Sequence, residues 1–253
     1  MKKIVEVGGK ARYHEPAPTG IDLESFRKVV QSRRSVRKFT AKPIPKAVLD
    51  DCLDMAMLAP CSSGLQPWEF YVVKSAEKKA KLVKACMSQL AAKTAQELIV
   101  CVARTDRIDA FSKQMLRDWP MPDIPMVVRR YYQLIPYAYK PGPLNSFALM
   151  KKAAFTVGGL IGPVPRGPYT ASEVKLWAAK STALACENLV LALRAHGFDS
   201  CMMEGYDEVR VSKLLGLAGG AFPIMVIAAG ERADDGVFWP QLRFERELFV
   251  REV

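Results

Sequence analysis

Several kinds of protein are excluded by what this chain lacks. Its six cysteines (52, 61, 86, 101, 186 and 201) form no CxxC pair and follow no metal-ligand spacing. They read as reduced, mostly buried thiols, several of them on apolar helical or strand patterns. Histidine is nearly absent, and neither His14 nor His196 sits in a motif that would activate a nucleophile. The longest nearly uncharged run, Leu214 to Gly230, contains Pro223 and four glycines and falls short of a bilayer span. The opening MKKIVEVGGKARYHEP has two lysines but no continuous apolar core of a signal peptide, so a cytoplasmic protein is expected, with no membrane partner. RNP-like aromatics, zinc-finger spacing and heptads after a basic region are all missing, so no nucleic-acid partner is expected either. No internal repeat or low-complexity segment appears.

What the chain does have is positive charge, unevenly placed. Lys and Arg total 37 against 26 Asp and Glu, a formal net charge of +11 over 253 residues. Residues 1–42 alone hold eleven Lys/Arg and four Asp/Glu, a local +7. Part of that excess lies in RRSVRKF, Arg33 to Phe39. In an extended segment Arg33, Ser35 and Arg37 share one side, and guanidinium forks with a hydroxyl suit a phosphate monoester. The heptapeptide alone is equally a solvated basic linker.

The rest of the chain alternates helical and strand patterns. IDLESFRKVVQSRR spaces Leu23, Phe26, Val29 and Val30 helically, with Asp22 as N-cap. PKAVLDDCLDMAMLAP is a second amphipathic helix with Pro45 in its first turn. After the loop CSSGLQP, EFYVVK reads as a strand, SAEKKAKLVKACMSQLA as one helix and ELIVCVA as another strand. SEVKLWAAKSTALACENLVLALRAHG is a long helix stopped at Gly197, followed by the strand SCMM, the turn EGYD, the helix DEVRVSKLLGL, the strand FPIMVIAAG and a basic, hydrophobic tail. Between about residues 104 and 172 the pattern weakens among prolines and five tyrosines, so this stretch is expected to be an insertion or lid in a single domain spanning 1–253. Its tyrosines, Tyr131, Tyr132, Tyr137 and Tyr139 among them, suit either an aromatic lid or ordinary packing. GGLIGPVPRG lacks the strand–turn–helix context of a dinucleotide or P-loop fingerprint.

Taken in order, RRSVRKFTAKPIPKAVLDDCLDMAMLAPCSSGLQPWEFYVV resembles the opening of the FMN-dependent nitroreductase family, with its RRSxR-type segment, Pro-led helix and APSSxNxQPW-like loop. AHGFDSCMMEGYDEV, GAFPIMVIAAG and PQLRFERELF resemble later family segments. The resemblance covers roughly residues 22–103 and 173–250. It implies an α+β homodimer, with a central mixed sheet flanked by helices and two FMN sites at the interface, partly built on the helix around Trp177 to His196. It places Arg33, Ser35 and Arg37 on the FMN phosphate and ribityl chain, with Arg34 contributing backbone or charge and Arg243 closing from the tail. Pro60, Cys61, Ser62 and Ser63 would line the flavin ring. Met203, Glu204 and Gly205 would lie at its N5 and O4 edge, with Gln89 near its polar edge. Gly64 stands where the family usually has Asn, and Gln241 where a lysine is frequent.

The activity implied is reduction of nitroaromatics, quinones or similar acceptors with NADH or NADPH as donor, in a ping-pong cycle. FMN N5 carries the hydride and no side chain is catalytic. Reductive dehalogenation, another flavin redox step, or non-catalytic FMN binding are the alternatives on the same scaffold. Residue by residue, plainer readings stand beside these. Cys61 is a small loop residue or a nucleophile, Glu204 a turn residue, Met202 and Met203 core, and His196 a helix C-terminal residue.

Overall fold

The Leu23, Phe26 and Val30 stripe makes one helix. In a computed structural model of the chain, which describes residues 3–7 and 10–253, this segment is α1 (Leu23–Ser32), and Asp22 accepts from the amides of Glu24 and Ser25. α2 (Lys46–Met57) starts directly after Pro45. Upstream, β1 (Lys3–Val7) and β2 (Lys10–His14) pair as an antiparallel hairpin.

β3 (Trp68–Val72), β4 (Glu97–Arg104), β5 (Asp199–Met203) and β6 (Ala221–Gly230) form a four-stranded sheet in the order β3-β4-β6-β5. Every ladder is antiparallel. The parallel element of the expected mixed sheet is confined to one bridge, Ser35 with Ser200, on the outer side of β5. β4 is buried along nearly its whole length, and its period-2 alternation assigns side chains to two cores. Leu98, Val100 and Val102 join Val226 and Ala228 against α3 (Ala76–Ala85) and α9 (Glu208–Leu215). Ile99 and Cys101 join Ile227 against α2 and α8 (Ala171–Ala195). The 25 residues of α8 make a rod about 37 Å long at ~1.5 Å per residue. A capping box between Thr170 and Glu173 starts it, and Gly197 at φ +85° follows its end.

Two stretches differ from the sequence pattern. The single helix expected after Ser75 is broken: α3 stops at Ala85, Met87 and Ser88 turn left-handed (φ 55° and 52°), and α4 (Leu90–Thr94) restarts with Gln89 as its N-cap. The weakly patterned stretch holds three helices, α5 (Ile108–Arg117), α6 (Met126–Tyr139) and α7 (Ser146–Gly158). Its prolines mostly bound these helices, Pro125 serving as the N-cap of α6, while Pro136 lies inside it. Lys151 of α7 donates to the carbonyls of Ala138 (2.6 Å) and Lys140 (2.9 Å) at the end of α6. Among the described residues no helix is long and apolar enough to cross a membrane, and no Cys, His, Asp and Glu cluster could hold a metal.

The start of β5 is pinned by charge. Asp199, almost fully buried, accepts from Arg194 at 2.7 Å and from Arg232 at 2.7 and 3.1 Å, while Arg232 also reaches the Ser32 carbonyl at the end of α1. Removing one partner of such a group strands the others. We expect Asp199→Ala to destabilise the fold by about 3 kcal/mol, read as a shift in the urea midpoint at constant m-value; a shift below about 0.5 kcal/mol would show that the pair contributes little.

Candidate functional site

Val36 has no solvent exposure and points into the core, so its neighbours face the other way. Its amide donates to the Ser200 carbonyl (3.0 Å) and that of Arg37 to the Gly236 carbonyl (2.7 Å), which holds the segment extended between β5 and the chain after β6. Gly236 permits the approach: a Cβ there would sit 2.5 Å from the Lys38 carbonyl oxygen and 3.1 Å from a Val36 methyl. The outward side chains of Arg33, Arg34, Ser35 and Arg37 then line a cleft of about 240 Å³, closed by residues 237–243. Arg243 and Gln241 are in that lining, so the tail does meet the arginine segment. Arg34 donates to the Trp239 carbonyl at 2.6 Å, and Arg37 to Cys201 Sγ at 3.4 Å. Among the described residues no carboxylate lines the cleft.

β5 leads away from this cleft. From Ser200 to Met203 it rises roughly 10 Å at ~3.3 Å per residue. Met203 is buried and Glu204 and Gly205 exposed. The left-handed break after α3 brings Gln89 here, where its Nε2 donates to the Gly205 carbonyl at 2.8 Å. Gln89 is thus joined to the 203–205 turn.

The loop after α2 is held in an unusual backbone. Ser63 (φ 62°), Gly64 (φ 62°) and Gln66 (φ 44°) all lie in the left-handed region. A non-glycine residue there costs about 1–2 kcal/mol, met by local contacts. Cys61 supplies two: its carbonyl accepts from Gly64 N–H (3.2 Å) and its Sγ from Gln66 N–H (3.1 Å). Two more come from α6, where Tyr131 Oη pairs with Ser63 Oγ at 2.7 Å and Tyr132 Oη donates to the Ser63 carbonyl at 3.1 Å. On the other side, Thr182 of α8 donates to the Pro67 carbonyl at 3.2 Å. Glycine and asparagine are the residues most at ease at such a φ, which gives Gly64 a backbone reason for standing in the family's Asn position. Its Cβ position also faces Met115 of α5 at 3.3 Å, so a larger side chain must displace that methionine.

Burial pushes the Cys61 thiol up from its ordinary value, opposed by the Gln66 N–H, so the sulfur is not an activated thiolate. Cys86 and Cys52, deeper in the cores, are pushed up by burial to about 11 and about 12.

Within one chain the site residues do not form one cavity. Pro60, Cys61 and Ser62 line a separate space of about 580 Å³ with α8 and residues 166–168, and none of these residues lines the arginine cleft. Sequence reasoning missed the Trp239 carbonyl, the Cys201 thiol and the cations Arg166 and Lys180; nothing local in the sequence signals them, because each meets its neighbours through the fold. Of the insertion's tyrosines, Tyr131 and Tyr132 grip the loop, Tyr139 packs edge-on to Trp177 with centroids 4.7 Å apart, and Tyr137 is exposed.

Helices on both faces of an antiparallel sheet, with an arginine-lined cleft at its edge, define an α+β protein. Residues 30–231 match the profile of the Nitroreductase family, and the chain belongs to that family and is an oxidoreductase. It is 27% identical over 219 residues to an NADH dehydrogenase of Thermus thermophilus, covering 87% of this chain and 92% of that one. Over a shorter 57 residues it is 40% identical to a 4-nitrobenzoate reductase of Pseudomonas putida, covering 22% and 25% of the two chains. A structure from Exiguobacterium sibiricum, described as a nitroreductase in complex with FMN, superposes with a TM-score of 0.66 at 24% identity, covering 94% of this chain and 100% of that one.

Tyr132→Phe removes the hydroxyl that holds the Ser63 carbonyl. We expect loop opening to become easier by about 1 kcal/mol, seen as roughly fivefold faster hydrogen exchange at the Gly64 amide. Unchanged exchange would show that α6 does not hold the loop.

Proposed function

We propose that this chain is an FMN-dependent NAD(P)H oxidoreductase that works as a homodimer and reduces nitroaromatics, quinones or related acceptors in a ping-pong cycle. The observation that carries the reading is the arginine cleft. Four guanidinium groups and the Ser35 hydroxyl line it without a carboxylate, a donor set that fits a phosphate dianion and not a neutral ligand. The direction of β5 supports the same ligand: beyond the cleft, one strand length away, the Met203–Gly205 turn and the Gln89 amide offer polar edge contacts of the sort a planar heterocycle takes. The names of relatives, an NADH dehydrogenase and a 4-nitrobenzoate reductase, agree with a nicotinamide donor and a nitroaromatic acceptor.

Bound FMN would supply the redox chemistry, taking a hydride from NADH or NADPH and returning reducing equivalents to the acceptor. The chain's own residues bind and orient. Arg33, Arg37 and Arg243 hold the phosphate end with Ser35, while Gln89 fixes the turn at the far end. The loop from Pro60 to Ser63, braced by Tyr131 and Tyr132, presents a rigid backbone wall that keeps water from the reacting face.

A homodimer agrees with two observations. Leu23, Phe26 and Val30 of α1 are 61, 56 and 45% exposed on one stripe, and Trp239, Leu242, Phe244 and Phe249 of the tail are exposed as well. Apolar surface of that extent marks an interaction face. The loop wall and the arginine cleft, apart within one chain, would meet where two chains pack.

Arg37→Ala is expected to weaken FMN binding about ten- to hundredfold, the loss of one charge-assisted contact worth about 1.5–3 kcal/mol, as read by fluorescence titration of the apoprotein. Unchanged affinity would remove Arg37 from the phosphate site.

A further inference from the structure

The space beside the Pro60–Ser62 loop has a chemistry of its own. One side is aromatic and aliphatic: Tyr139 and Trp177, packed edge to face, with Leu176 and Leu184 exposed along α8. The lining also holds two cations, Arg166 and Lys180. Neither has a carboxylate within ion-pair distance among the described residues; the guanidinium of Arg166 makes a single long contact, 3.5 Å to the Phe155 carbonyl. The one carboxylate in the lining, Glu173, is already engaged, accepting from the amides of Tyr169 and Thr170 in the capping box of α8. Those backbone hydrogen bonds hold its pKa below the usual carboxylate range, so it stays an acceptor for the helix end. Two uncommitted cations beside an aromatic wall are more than a neutral quinone needs.

We propose that this space selects acceptors bearing a carboxylate, with the acceptor's ring against Trp177 and Tyr139 and its carboxylate held by Arg166 and Lys180. This rests on the redox function proposed above and deepens it: the acceptor is an aromatic acid, met at the loop wall, and not an uncharged aromatic. Arg166 and Lys180 are then specificity-determining residues. The same cations could in principle read the extra phosphate of NADPH, and the experiment separates the two.

The test uses the FMN-loaded enzyme with 4-nitrobenzoate and its methyl ester, acceptors that differ in one charge. The quantity measured is the ratio of their kcat/KM values in the wild type, in Arg166→Gln/Lys180→Gln and in Arg166→Lys/Lys180→Arg. Calorimetric titration with benzoate gives a second readout that does not depend on turnover. We expect the wild type to favour the acid, the double glutamine variant to lose about tenfold of that preference, mainly through KM, and to bind benzoate about tenfold more weakly, and the charge-retaining variant to keep both. An unchanged ratio with unchanged benzoate affinity overturns the proposal. So does a loss confined to the NADPH-over-NADH preference, which would assign the cations to the donor. A wild type that reduces neither acceptor refutes the redox reading itself, and benzoate binding still decides whether the cations hold a carboxylate.

Discussion

The arginine cleft depends on one buried valine. Val36, at zero exposure, is locked between the Ser200 and Gly236 carbonyls by its own amide and that of Arg37. With Val36 inward, the pleat sends Ser35 and Arg37 outward. The arginines need no contact with each other to act together; the backbone register aligns them. Gly236, where even a methyl group would collide with the Lys38 carbonyl, is the condition for that register. The Asp199 ion pairs at the start of β5 fix the strand on which the register is built.

The second constraint is a balance of strain. Ser63 and Gln66 sit in backbone regions that ordinary residues avoid, and they stay there because α6, α8 and Cys61 each contribute hydrogen bonds to the loop. The 104–172 stretch is therefore part of the framework that holds this loop. Residues some seventy positions from the loop help decide its shape, through the hydroxyls of Tyr131 and Tyr132.

Much of this was legible in the sequence, for physical reasons. The α1 stripe, its Asp22 cap, the apolar run of β4 and the glycine stop after α8 are all local patterns, and local chemistry fixes them. So was the clustering of Arg33, Ser35 and Arg37, because strand alternation is short-range. What was hidden depends on distance or on left-handed backbone. Met87 and Ser88 carry no mark of the turn that splits the expected helix and delivers Gln89 to Gly205. The antiparallel order β3-β4-β6-β5 joins segments far apart in the chain. Prolines between residues 104 and 172 blurred a periodicity that the folded chain resolves into three helices.

The central claim is that the arginine cleft reads a phosphate. Comparing the affinity of the apoprotein for FMN and for riboflavin tests it directly, since the two differ only in that group. Two or more charge-assisted contacts predict that FMN binds at least about a hundredfold more tightly, with the difference shrinking as salt is raised. Equal affinity for the two flavins would contradict the account.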